Sequence, residues 1–157
     1  MIRFIVVTFL LILLWSASAY ANELREVIFK DAQVALNAAK DARADVLSPK
    51  SFEDATRAYE RAGDRLEKGD SIDRIKRDIS VTLDALKTAT QNVRLAEVTM
   101  AGAIQARTDA LKASAQQYAP GDWSKADAKF RDAALKVEAG NTKSAEKLGG
   151  RSGRVIS

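Results

Sequence analysis

Two residue types are missing from this 157-residue chain and a third is rare: there is no cysteine, no histidine and only two prolines. Without cysteine there is no disulfide, no thiol nucleophile, no thiolate metal ligand and no N-terminal cysteine to carry a lipid. Without histidine the chain lacks the commonest metal ligand and the side chain best placed to move protons near neutral pH. Zinc catalysis, a Ser-His-Asp triad and a Cys-His pair are excluded together. Asp, Glu, Lys and Tyr remain, but no constellation of them stands out. A phosphate loop is also missing, because Gly149-Gly150 precedes no strand–helix unit. The expectation is a non-enzymatic chain with no catalytic residue, no metal ligand and no cofactor.

What is present begins at the N-terminus. Met1 and Arg3 make a short positive region, and Phe4 to Trp15 is an apolar run without charge. Ser16-Ala17-Ser18-Ala19-Tyr20-Ala21 follows, and Ala19-x-Ala21 fits the small-residue form that signal peptidase accepts, with Ala17-x-Ala19 as a weaker choice. The run is shorter than the roughly 20 residues that span a bilayer. Residues 1–21 are therefore expected to be a Sec-type signal peptide cleaved after Ala21, and the protein to be periplasmic; an uncleaved anchor is the competing reading. No later stretch is apolar enough to cross a membrane. Loss of Arg3 from a formal charge of +4 leaves the mature chain mildly basic. Its charges are interspersed, without the basic stripe of a nucleic-acid binder.

The rest reads as helix. Ala, Lys, Arg, Glu and Leu are good helix formers, and the breakers are few. Ser48-Pro49 suits a helix start with serine as cap, and Ser51-x-x-Asp54 offers an alternative capping box. Gly69-Asp70-Ser71 and Gly140-Asn141-Thr142 read as glycine stops followed by restarts. These marks predict helices over 23–47, 50–68, 72–117 with a bend near Gly102, and 122–139, then a short helical stub.

The strongest pattern is an internal repeat. At an offset of 71, Pro49 meets Pro120, Phe52 meets Trp123, Tyr59 meets Phe130, Leu66 meets Val137 and Gly69 meets Gly140. Alanine matches alone would be cheap in such a chain, but the Pro, Gly and aromatic matches are not. Each copy, about 31–70 and 102–141, carries a seam stepping by 3, 4, 3, 4: Phe52, Ala55, Tyr59, Ala62, Leu66, and Trp123, Ala126, Phe130, Ala133, Val137. Leu24, Ile28, Ala32, Ala35, Ala39, Ala42 and Val46 are expected to face the seam from the first helix. Ile72, Ile75, Ile79, Leu83, Leu86 and Val93 do so from the third. The expected fold is all-α: an antiparallel helical bundle of two helix–Pro turn–helix units sharing one long helix, spanning 22–148, with 149–157 as a basic tail. Phe52, Tyr59, Leu66, Trp123, Phe130 and Val137 are its expected core anchors, and Trp123→Ala should then cost about 3–5 kcal/mol. After Gly140 the positions equivalent to Ile72 and its successors are Lys143, Glu146, Gly150, Arg154 and Ser157. The second seam is thus expected to lack one wall, which favours self-association or contact with a partner.

Leu47-Ser48-Pro49-Lys50-Ser51-Phe52-Glu53-Asp54-Ala55, then Tyr59-Glu60-Arg61-Ala62 and Leu66-Glu67-Lys68-Gly69-Asp70, with the second copy from Ala119-Pro120 to Gly140-Asn141, make a pattern that resembles an exported helical domain of unknown function found ahead of OmpA-type peptidoglycan-binding domains. The resemblance spans roughly residues 31–148. It implies an envelope location and a helical accessory role, with peptidoglycan or an envelope protein as partner, and carries no catalytic residues. No OmpA-type domain follows the helices in this chain. Two other functions compete. One is a periplasmic holdase-type chaperone, which needs an exposed apolar patch. The other is a tetratricopeptide-like peptide-binding repeat, whose period of about 34 residues does not suit an offset of 71. Trp123 as a ligand-stacking ring, and Glu53-Asp54 or Asp41/Asp45 as metal or acid–base carboxylates, have simpler readings as seam and solvated helix face.

Overall fold

A computed structural model describes residues 25–148. The signal-type segment and the Gly-Arg tail lie outside the described residues. Within them all regular structure is α-helix, in eight segments. These are α1 (25–41), α2 (Ala44–Leu47), α3 (Pro49–Glu67), α4 (Ile72–Thr99), α5 (Ala101–Lys112), α6 (Ala115–Tyr118), α7 (Pro120–Glu138) and α8 (142–148).

The prolines set two of the starts. Pro49 and Pro120 occupy the first helical positions of α3 and α7, where a missing N–H does no harm. A proline also pushes the preceding residue out of the α region. Ser48 sits at φ −140°, ψ 60° and Ala119 at φ −138°, ψ 57°. The glycines set two of the stops. Gly69 and Gly140 take φ of 67° and 73°. Behind them Asp70 N–H reaches Arg65 O at 2.9 Å and Asn141 N–H reaches Lys136 O at 2.8 Å, the bonds that close a helix on a left-handed residue.

Two expected helices prove to be interrupted. The helix drawn over 23–47 ends at 41, because Arg43 is left-handed at φ 59° and α2 is a separate single turn. The helix drawn over 72–117 bends at Met100 (φ −114°, ψ 18°) and stops before Ser114, left-handed at φ 56°. Main-chain bonds continue through Met100, from its N–H to Ala96 O and from Ile104 N–H to Met100 O, so this is a kink. It lies two residues ahead of Gly102. Arg43 and Ser114 each precede a proline by six residues. Nothing in the residue types marks them, since left-handed backbone is ordinarily the province of glycine and asparagine.

Helix directions follow from the side chains that meet. Arg65 reaches Asp78 and Asn92 reaches Ser51, so α3 and α4 form an antiparallel hairpin. Arg25 faces Glu67 and Tyr59 bonds Gln33, so α1 runs antiparallel to α3. Arg107 pairs with Asp127 while Glu138 reaches Ser48, so α7 runs back along α5 and α4. Two apolar clusters result. The smaller joins Phe29 and Ala32 of α1 to Ala62, Ile75 and Ile79. The larger holds Leu47, Leu86, Val93, Met100, Phe130 and Val137 among alanines. Of 23 buried apolar residues among those described, 14 are alanine. Each alanine contributes little transfer energy, but together they let the helix axes approach closely.

The second seam is not left open. Ala126, Phe130, Ala133, Ala134 and Val137 are buried against α2, α3 and α4. The wall expected to be missing is supplied by α8 in another register, through Ala145 and Leu148 rather than Lys143 and Glu146. One other expected core residue departs from its pattern, and one expected core residue falls where the structure describes nothing. Ile72 is 42% exposed, because it stands at the first turn of α4, and Leu24 lies outside the described residues. Phe29, one residue past the predicted stripe, is buried instead and meets Tyr59 edge-on at 5.4 Å.

Candidate functional site

The most concentrated chemistry inside the fold is a carboxylate at the end of α7. Glu138 Oε1 accepts from the hydroxyls of Ser48 and Ser51, both at 2.7 Å, and from Ser51 N–H at 2.9 Å. Its Oε2 accepts from Lys50 N–H at 2.9 Å. From α4, Asn92 Nδ2 donates to the Ser48 and Ser51 oxygens at 3.3 and 3.2 Å. The N-terminus of α3 is thus capped from across the fold. Ser48 stands at the cap position but makes no cap bond of its own; its hydroxyl, fully buried, is turned to Glu138. Ser51 and Asp54 form no capping box, since Ser51 also serves Glu138 and Asp54 pairs with Lys50. Burial works against ionising Glu138, and the bonds from Ser48, Ser51 and Lys50 outweigh it, so its carboxyl titrates below the ordinary value.

The second turn is built differently. Tyr118, equivalent to the buried Leu47, is 78% exposed, and Ala119 and Pro120 are exposed where Ser48 and Pro49 are buried. Nearby, Arg107 of α5 lies over both aromatics of α7, its guanidinium 5.4 Å from the Trp123 and Phe130 centroids. Its Nε donates to Asp127 Oδ1 at 2.8 Å. At the same place in the first copy stand Leu36, Phe52, Tyr59 and Thr56. An apolar seam contact is replaced there by a guanidinium braced on a carboxylate and two rings. The adjoining cavity, between Asp45, Val46, Arg107, Asp127, Phe130 and Arg131, has a volume of about 80 Å³.

No family model, characterised protein or solved structure matches this chain. The geometry therefore stands alone.

Of the six expected anchors, Phe130 and Val137 are buried, while Phe52, Tyr59, Leu66 and Trp123 are half-buried. Phe52 packs against the larger cluster and Tyr59 and Leu66 against the smaller. Trp123 shares its face with Arg107, not with a wholly apolar wall. Glu53 pairs with Arg57 in the same helix, and Asp41 and Asp45 are exposed. The described residues hold no group of three or more Asp or Glu side chains placed for a metal ion. Sequence reasoning missed Glu138, Asn92 and Arg107. The signal for Glu138 was weak: its repeat partner is the exposed Glu67.

Proposed function

We propose that this protein is an exported, non-catalytic helical module of the cell envelope, serving as a structural or interaction piece. It is built as two copies of one helix–Pro turn–helix unit sharing the α4–α5 helix. The observation behind the structural role is the way Glu138, at the end of the second copy, accepts four hydrogen bonds from the opening turn of the first. That carboxylate and its serines are spent on holding helices together, which suits a scaffold. Matched backbone supports the duplication: Arg43 and Ser114, Ser48 and Ala119, and Gly69 and Gly140 agree within a few degrees at the common offset. Arg3, the apolar run and Ala19-x-Ala21 support export. The partner is peptidoglycan or an envelope protein, by the resemblance of the Pro-turn pattern.

The test is fractionation of bacteria expressing the full chain, with mass spectrometry of the product and co-sedimentation of the mature form with purified peptidoglycan. Export predicts Asn22 as the N-terminal residue in the periplasmic fraction. A cytoplasmic chain retaining Met1 refutes the location, and a mature chain left wholly in the supernatant refutes peptidoglycan as partner.

A further inference from the structure

The turn end of the α3–α4 hairpin carries cationic groups that the packing does not use. Arg65, Arg74, Arg77 and Asp78 line a cleft of about 340 Å³. Asp78, its side chain only 14% exposed, lies between Arg61 Nε at 3.6 Å and Arg65 Nε at 2.7 Å. The Arg65 contact is a charge contact rather than an aligned hydrogen bond. Asp70, in the connecting turn, takes Arg65 Nη1 at 3.1 Å and Arg74 Nη1 at 3.3 Å. The Ser71 N–H, against a smaller opposing effect of burial and with help from Arg74 and Arg65, keeps the Asp70 carboxyl below its ordinary value, so it stays charged. Arg77 spends only its Nε, on the Asp73 carbonyl at 3.3 Å.

Three guanidiniums, those of Arg61, Arg65 and Arg74, therefore meet the two carboxylates of Asp70 and Asp78, and Arg77 adds a fourth beside them. The excess is two positive charges, and the carboxylates brace the arginines without cancelling them. Among the described residues the side-chain hydrogen bonds of Arg65 and Arg74 use Nη1 and that of Arg77 uses Nε, which leaves the Nη2 groups of the first two and both Nη groups of the third out of those bonds. Several forked donors round one cleft suit an anion with several oxygens at one centre. A lone carboxylate satisfies one guanidinium, whereas a phosphate can take two or more forks and carries about −1.5 to −2 charge as a monoester near pH 7.

We propose that this cleft is a binding site for a phosphate group, with Arg77 and the Nη2 groups of Arg65 and Arg74 as its donors, Asp70 as the brace that holds Arg65 and Arg74, and Asp78 as the brace that holds Arg61 and Arg65. The same chemistry is offered by free phosphate and by a phosphomonoester lipid headgroup. This proposal is independent of the peptidoglycan reading above.

The experiment is calorimetric titration of the mature chain with inorganic phosphate, beside co-sedimentation with phosphatidylcholine vesicles with and without phosphatidic acid. Binding of phosphate in a background of chloride at fixed ionic strength is expected. Arg77→Gln, whose side chain holds nothing but the Asp73 carbonyl, should weaken it about tenfold without moving the thermal midpoint. Asp70→Asn gives the sharper discrimination. A diffuse positive surface predicts tighter binding when a negative charge is removed, whereas a braced site predicts weaker binding because Arg65 and Arg74 lose their common partner. Vesicle binding that needs phosphatidic acid and is lost in Arg77→Gln identifies a lipid headgroup as the source; phosphate binding without it identifies the free ion. Absence of both, or Arg77→Gln and Asp70→Asn binding as well as the parent chain, overturns the proposal.

Discussion

Glu138→Ala tests the packing most directly. The substitution leaves the N–H groups of Lys50 and Ser51 at the start of α3 without an acceptor, comparable to losing an N-cap, or about 0.5–2 kcal/mol. It also strands the fully buried Ser48 hydroxyl proton, a penalty of about 1–3 kcal/mol. The Ser51 hydroxyl is half-exposed and can turn to water. The expected loss is about 2–4 kcal/mol, which for a chain of this size lowers the midpoint by roughly 5–15 °C. Glu67→Ala is the matched control. It occupies the same place in the first copy, is 72% exposed and faces Arg25 at 3.8 Å, so it should cost under about 0.5 kcal/mol. Acid titration adds a second arm. Because the folded carboxyl titrates below its ordinary value of 4.5, its stabilisation is complete above that value and is lost as pH falls through the lower, folded value. Glu138→Gln, which offers one acceptor oxygen and an unwanted donor, should recover only part of the loss and flatten that acid limb. Thermal melts at pH 7 and across the acid range read all of this. If Glu138→Ala costs no more than Glu67→Ala, the cross-fold cap contributes nothing and the argument fails.

Three further outcomes follow from particular positions. Gly69→Ala and Gly140→Ala should each cost about 1–2 kcal/mol and about equally, because both glycines have positive φ and an added Cβ meets nothing within 4 Å at either site; denaturant melts that separate them widely would argue against equivalent turns. Trp123→Ala should cost about 1–2 kcal/mol, less than a fully buried ring, because Trp123 is half-buried beneath Arg107, and Arg107→Ala in the same background should add less than it does alone. Ala133→Leu should destabilise by about 1–3 kcal/mol or more, since Ala133 is wholly buried in the larger cluster; a neutral result in the melt would mean that α7 can move away from α3 and α4 without loss.

Local chemistry made much of the fold readable from the chain. Pro49 and Pro120 can sit only at helix starts, Gly69 and Gly140 relieve the strain of a left-handed stop, and Ala at steps of 3 and 4 draws a stripe along one helix face. Each of these acts within one turn of helix, so residue type suffices. The breaks at Arg43 and Ser114 were not readable, because neither residue favours positive φ. Which stripe positions are buried also escaped pattern alone. Phe52 and Trp123 share a register, but Leu36 stands at the equivalent of Arg107, and a stripe does not say what lies opposite it. Glu67 and Glu138 occupy the same place in the repeat, yet one is solvated and the other accepts four hydrogen bonds. The sequence by itself determined the helix starts at Pro49 and Pro120 and the stops at Gly69 and Gly140; tertiary structure alone decided which glutamate is a surface charge and which a staple, because only the packing of α7 on α3 brings unpaired N–H groups to one carboxylate and leaves the other in water.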